Sequence, residues 1–284
     1  MITIENHGDV TRLRMQSWRT RAAGYEVSAY FVRGVLVDTG FAGAAPALDG
    51  WLRNARRTFL HGSAEGLQAA VVTHAHEDHS GNAGLLQERG VPVWIAPVTR
   101  AAFAELGPIP WYRRFTWGSP MPMAPDAGRQ ASGAVALPAG IEAIHAPGHS
   151  PDHHVVWDNA TGTLFGGDLF LGVRVKVAHH TEQPRALVGS LRRLAALEPA
   201  RLFDAHRGLV PAPASALRAK ADWLEETIAE VERRAATGES PRSIRDAVLG
   251  REPAEYYVSF NEYSKLQLVL QVLAETPGIG GGVR

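Results

Sequence analysis

The residues best suited to chemistry lie together in Thr73-His74-Ala75-His76-Glu77-Asp78-His79-Ser80-Gly81-Asn82. Three histidines and an aspartate fall within six positions, in a chain with 12 histidines among 284 residues, a density that chance scatter does not produce. No regular strand or helix brings positions i, i+2, i+4 and i+5 onto one face. A loop between a strand and a helix can converge all four on one small volume. Neutral imidazole nitrogen and carboxylate oxygen are the donors preferred by zinc and other borderline first-row divalent metals. The chemistry indicated is metal binding, at the carboxyl end of a strand where open α/β architectures place their sites.

The elements that must position this loop are legible around it. Ala69 to Val72 is a short apolar run that reads as a buried strand, and Ala83-Gly84-Leu85-Leu86 opens a helix over 82–89. Upstream, Ile2-Thr3-Ile4, Val10 to Met15, Tyr25 to Val32 and Val35-Leu36-Val37 read as strands punctuated by Gly8, Gly24 and Gly34, and the last runs into Asp38-Thr39-Gly40. A helix is expected over 44–59 and a short strand over 91–95. Residues 98–125 carry Pro108, Pro110, Pro120, Pro122 and Pro125 around Trp111-Tyr112-Arg113-Arg114-Phe115-Thr116-Trp117, and read as a proline-broken insertion after a helix Ala101 to Leu106. Strands resume near 134–137, 141–145, 153–157, 163–166 and 201–203, with a helix over 184–197 that places Leu187, Leu191, Leu194 and Leu197 on one stripe. Two strand-rich halves, each followed by a helix, suggest two β-sheets packed face to face with helices outside. Beyond Pro211-Ala212-Pro213 the pattern is helical, over 214–236, 241–249 and 260–274, giving a first domain of residues 1–210 and a C-terminal helical appendage of residues 211–284. The appendage either packs over the pocket or forms a homodimer contact. Its aromatics Tyr256, Tyr257, Phe260 and Tyr263 read as core packing, or else as lining of the substrate entrance.

Three further metal-ligand types end apolar strands: His149 in Ala146-Pro147-Gly148-His149-Ser150-Pro151-Asp152, Asp168 in Phe165-Gly166-Gly167-Asp168, and His206 after Asp204-Ala205. His145, His153, His154, His179 and His180 are additional histidines, of which the first three fit core or ligand-supporting roles.

His74-x-His76-x-Asp78-His79, followed in order by His149, Asp168 and His206, resembles the HxHxDH signature and later ligands of the metallo-β-lactamase-fold hydrolases, across roughly residues 25–210. Pro-Gly-His-Ser-Pro-Asp-His and Phe-Gly-Gly-Asp-Leu-Phe are most similar to the glyoxalase II-like branch. The resemblance implies an α/β, four-layer αββα sandwich with two divalent metal ions, zinc foremost, iron or manganese as alternatives. It implies that His74, His76 and His149 hold one ion, that Asp78, His79 and His206 hold the other, and that Asp168 bridges them. Asp38 would stand behind a ligand imidazole and orient it. Asp78 would also act in catalysis, orienting a hydroxide held by both metals and shuttling its proton. Arg174, Lys176, His179 and His180 occupy the region that faces substrate in glyoxalase II-like proteins and are candidate substrate contacts. One departure is the setting of the last ligand, Asp-Ala-His-Arg-Gly in place of the usual Gly-His-Gly.

The function expected is hydrolysis of a small ester-like substrate: a thioester, a lactone or a related carbonyl. The glutathione-binding residues of glyoxalase II proper have no match here. Alternatives on the same scaffold are a two-metal phosphodiesterase or endoribonuclease and an iron-dependent persulfide dioxygenase. Composition weighs on these. The 29 basic and 29 acidic residues cancel, so the chain lacks the electrostatic footprint of a nucleic-acid binder. There is no cysteine, which excludes disulfides, thiolate ligands and a cysteine nucleophile. The first residues carry no basic stretch followed by an apolar one, and no apolar run reaches membrane-spanning length. A soluble cytoplasmic enzyme with a small-molecule partner and no membrane partner is the expectation.

Overall fold

The computed structural model describes residues 1–22, 24–59, 66–105, 108–123, 137–175 and 177–277. Residues 134–136 of an expected strand, Leu106, Lys176 and the tail from 278 lie outside them. The chain divides into two compact units. One comprises Met1–His145, His154–Gly167 and Leu202–Leu209; the other comprises Ala146–His153, Asp168–Arg201 and Val210–Arg284.

The first unit is built on two sheets. Six strands, β1 (Ile2–His7), β2 (Val10–Met15), β3 (Val27–Val32), β4 (Val35–Val37), β5 (Ala69–Val71) and β6 (Val93–Trp94), are hydrogen-bonded in that order. The first four pair antiparallel and the last three parallel. β4 and β5 are buried throughout, as parallel strands covered on both faces must be. Their two-residue period divides them cleanly. Leu36 and Ala70 face a core of Leu13, Met15 and Ala29 with Leu48 and Leu52 of the helix Ala45–Phe59 and Leu86 of the helix Ala83–Glu88. Val35, Val37 and Val71 face a second core shared with Ile141, Val156, Phe165 and Phe203. Those residues belong to the second sheet, formed by β7 (Ile141–His145), β8 (His154–Asp158), β9 (Thr163–Phe165), β11 (Arg201–Asp204) and β12 (Gly208–Val210), ordered β12-β11-β9-β8-β7. Stacked Phe165 and Phe203, with ring centroids 5.6 Å apart, and Tyr30, whose hydroxyl donates to the Asp204 carbonyl at 2.7 Å, fill the space between the two inner faces. The architecture is two β-sheets flanked by helices, with C-terminal helices following.

The second unit is largely helical. Pro184–Ala195, Pro213–Ala236, Pro241–Val248 and Lys265–Ala274 each begin at or beside a proline or a serine cap; Ser240 and Ser264 accept from the amides of Ser243 and Gln267. Ile228, Val231, Ile244, Leu268, Val269 and Val272 form its core. β10 (Ala178–His179) pairs antiparallel with β13 (Tyr263–Ser264).

Several elements differ from the sequence expectation. The proline-broken stretch contains a helix, Trp111–Trp117, entered from Pro110 and stopped by Gly118 at φ +88°. Prolines at its margins bound it rather than forbid it. The helix expected from 260 starts at Lys265, because Phe260 and Asn261 take left-handed backbone angles that end helical propagation. Tyr257 and Phe260 are 71% and 63% exposed, so those two are not core packing, whereas Tyr263 is half-buried with its ring against His179. Leu187, Leu191 and Leu194 are buried as expected, whereas Leu197 lies beyond the helix end and is exposed.

Candidate metal centre

Parallel pairing of Val37 with Val71 brings the carboxyl ends of β4 and β5 side by side. The residues that follow therefore emerge together: Asp38 from one strand, Thr73 and His74 from the other. Asp38 has φ +61° and its amide donates to the Val71 carbonyl at 2.8 Å, which turns its carboxylate under the histidine loop. That carboxylate, 2% exposed, accepts from the Thr73 amide at 2.8 Å, the Thr73 hydroxyl at 3.0 Å and His79 Nδ1 at 2.8 Å.

This arrangement fixes tautomers. A carboxylate only accepts, so the Thr73 hydroxyl donates to Asp38, and its oxygen takes the proton of His74 Nδ1 at 3.0 Å. His79 likewise carries its proton on Nδ1. His206 Nδ1 donates to the Glu26 carbonyl at 2.7 Å. In all three imidazoles Nε2 is the lone-pair nitrogen, the form a metal requires. His206 is set by the Asp204 carboxylate, which accepts from the amides of His206 and Arg207 at the end of β11.

The loop itself is a short helix, Glu77–Ser80, followed by Gly81. A Cβ at Gly81 would lie 2.4 Å from the Glu77 carbonyl oxygen and 2.7 Å from the Ala42 amide nitrogen, so the turn closes only without a side chain. Asn82 secures it by donating to the carbonyls of Thr39 and Phe41. His74 Nε2 lies 2.9 Å from His76 Nδ1. Asp78 Oδ2 lies 3.5 Å from His206 Nε2 and 3.7 Å from His79 Nε2, and donor atoms of the three residues all fall within 4.8 Å of one another. Donors on a tetrahedral zinc with bonds of about 2.0–2.1 Å stand about 3.3–3.4 Å apart, and Asp78 stands a few tenths of an ångström beyond that spacing from each imidazole.

In the second unit, His149 Nε2 lies 3.4 Å from Asp168 Oδ2. The bend before His149 depends on Gly148, at φ +143°, where a Cβ would meet Leu187 Cα at 2.4 Å. The Asp168 amide donates to His153 Nε2 at 3.1 Å, and His153 Nδ1 donates to the Ala146 carbonyl at 3.2 Å. His153 thus ties the turn at Asp168 to Ala146, three residues before His149. Glu182 stands 3.8 Å from His149 Nδ1. Burial pushes its carboxyl up to about 7, against the His179 amide and the Lys220 charge, which pull it down.

The four residues expected to contact substrate differ in exposure. His179 is buried, with Nδ1 2.8 Å from Thr181 Oγ1, Nε2 3.1 Å from Glu262 and its ring beside Tyr263. Arg174 and His180 are exposed, and Lys176 lies outside the described residues. The sequence reading missed Glu182 and Lys220, and it missed the bidentate pair in which Arg113 Nε and Nη2 donate to Glu77 at 2.6 and 2.5 Å. No local pattern marks these residues, since their partners lie 36 or more positions away or depend on burial.

Residues 23–206 match the family model of the metallo-beta-lactamase superfamily. The chain belongs to that superfamily. Solved metallo-β-lactamases agree in fold. The Pseudomonas aeruginosa enzyme FIM-1, in its mono-zinc form, matches 79% of this chain and 95% of its own at 17% identity and a TM-score of 0.60. Those of Hirschia baltica (17% identity, TM-score 0.58, 78% and 96% covered) and Erythrobacter litoralis (19%, 0.57, 79% and 96%) behave alike. The Drosophila melanogaster beta-lactamase-like protein 2 homolog is 35% identical over 75 residues, 26% of this chain, and the match spans about a quarter (24%) of that relative's length. Within that superfamily frame, Asp78, His79 and His206 form a set of donors that could hold a metal ion. Among the described residues no helix is long and apolar enough to cross a membrane.

Proposed function

We propose that this superfamily member hydrolyses a small ester-like substrate, a thioester, lactone or related carbonyl, with two divalent cations. Zinc suits the donors best, and iron or manganese are the other candidates. His74, His76 and His149 would hold one cation and Asp78, His79 and His206 the other, with Asp168 shared. When bound, such cations would supply a water acidified to a pKa of about 7 and would polarise the scissile carbonyl. Asp38 keeps His79 directly, and His74 through Thr73, in the tautomer that ligates. Asp78 directs one oxygen at the two imidazoles beside it and has a second with which to orient the attacking water and take its proton. Arg174, Lys176, His179 and His180 are the candidates for substrate contact, of which Arg174 and His180 are exposed. Residues 1–210 would carry the ligand loops and residues 211–284 form a helical appendage.

The observation that carries this reading is the shared polarity of His74, His79 and His206, each with Nδ1 committed to a protein oxygen. The test is a hydrolysis screen over thioesters, lactones, β-lactams and phosphodiesters, run with metal analysis. Turnover of a carbonyl substrate that is abolished by chelator and restored by zinc supports the proposal. Undiminished turnover by metal-free protein contradicts it, and activity confined to phosphodiesters contradicts the substrate class.

A further inference from the structure

Lys220 stands on the helix Pro213–Ala236 and is 1% exposed. Its neighbours on the buried side of that helix, Leu217, Ala221 and Leu224, are apolar. A buried ammonium is costly to desolvate, and an unbranched apolar side chain would fill the same space without that cost. Lysine is also scarce here, at three residues in the chain. The charge has a specific use. Nζ donates to the Leu169 carbonyl at 3.1 Å and to the Phe170 carbonyl, both in the two residues after Asp168. Leu169 and Phe170 are themselves buried, so solvent is not at hand to replace the ammonium at those oxygens. The Asp168 amide donates to His153. The turn bearing the Asp168 carboxylate is therefore gripped at its amide by one residue and at its following carbonyls by another.

We propose that Lys220 is a positioning residue for the metal centre: by clamping residues 168–170 it holds the Asp168 carboxylate in its ligating pose, which makes the appendage helix a determinant of metal affinity. The inference rests on the ligand assignment proposed above. It acts on geometry, before any substrate is present, so its readout is metal binding rather than turnover.

The experiment compares the full-length wild type with Lys220→Met and with Ile228→Ala, a core truncation on the same helix that removes only apolar contacts. Zinc affinity is measured by competition with a chromogenic chelator. Thermal midpoints are measured with EDTA and with zinc. Loss of a group supporting a ligand weakens metal binding about 10- to 100-fold, and K220M is expected to fall in that range for at least one ion and to lose most of the zinc-induced rise in midpoint. I228A is expected to lower both midpoints equally and keep wild-type affinity. Wild-type affinity for both ions in K220M overturns the proposal, as does an equal affinity loss in I228A. If K220M does not fold, Lys220→Gln replaces it; that side chain is too short to grip both carbonyls, and wild-type affinity there overturns the proposal equally. A wild-type chain that binds no divalent ion overturns the ligand assignment and this inference together, whereas a K220M chain with unchanged affinity beside a metal-binding wild type overturns the inference alone.

Discussion

Replacing Asp38 by asparagine changes one atom and should disable a ligand. The native carboxylate accepts three hydrogen bonds: from the Thr73 amide and, on its other oxygen, from the Thr73 hydroxyl and His79 Nδ1. An asparagine offers one oxygen and one NH2 group. With its oxygen toward the Thr73 amide, NH2 faces the protons of His79 and Thr73. In the flipped pose NH2 meets the Thr73 amide proton. One donor-against-donor contact is unavoidable, in a site 2% exposed where water cannot relieve it. An unsatisfied buried donor costs about 1–3 kcal/mol. The cheapest escape is for His79 to move its proton from Nδ1 to Nε2, which removes it as a ligand. Rotation of the Thr73 hydroxyl would carry the same inversion to His74. The expected loss in metal affinity is about 10- to 100-fold, with little change in fold. Chelator competition measures the affinity, and nitrogen-15 spectra of histidine-labelled, metal-free protein report the tautomers. A variant with two ions bound at wild-type affinity, and His79 still protonated on Nδ1, would refute the reasoning.

Three further outcomes follow from the geometry. Arg113→Ala strands the Glu77 carboxylate, 5% exposed, without its bidentate partner; loss of one member of a buried pair costs about 3–5 kcal/mol, read by urea denaturation, and a change under about 1 kcal/mol would show the pair to be solvated. Gly81→Ala and Gly148→Ala each place a Cβ 2.4 Å from a backbone atom and should destabilise by at least about 1–3 kcal/mol, whereas Gly189→Ala, which meets nothing within 4 Å, should not; equal midpoints for all three would contradict the packing described. Glu182 is raised from 4.5 to about 7 by burial, so the folded metal-free chain holds its proton where the unfolded chain has lost it. Its contribution is intact below about pH 4.5 and falls as pH rises to about 7, by a few kcal/mol. Glu182→Gln should flatten that part of the stability-pH curve in EDTA, and a curve parallel to wild type would disprove the assignment.

The candidate site was legible where chemistry is local in sequence. His74 to His79 declare themselves by spacing, and His149, Asp168 and His206 by ending apolar strands. β4 and β5 were legible because double burial leaves unbroken apolar runs, and their parallel pairing explains why Asp38 stands beneath the histidines. What sequence did not show is contact made across distance. Arg113 reaches Glu77 from a helix that the surrounding prolines obscured, and Lys220 reaches Leu169 from 51 positions away. Tyr257 and Phe260 misled for a related reason. Their helical spacing suggested a packed face, but left-handed angles at Phe260 and Asn261 break the helix that would have buried them.

The most direct test of the account is the number of divalent ions retained per chain after exhaustive dialysis, counted by elemental analysis for wild type and for His206→Ala. The account predicts two ions in the wild type, one in the variant, and hydrolysis that is lost with chelator. A wild type that retains no ion, or that turns over substrate undiminished in chelator, contradicts it.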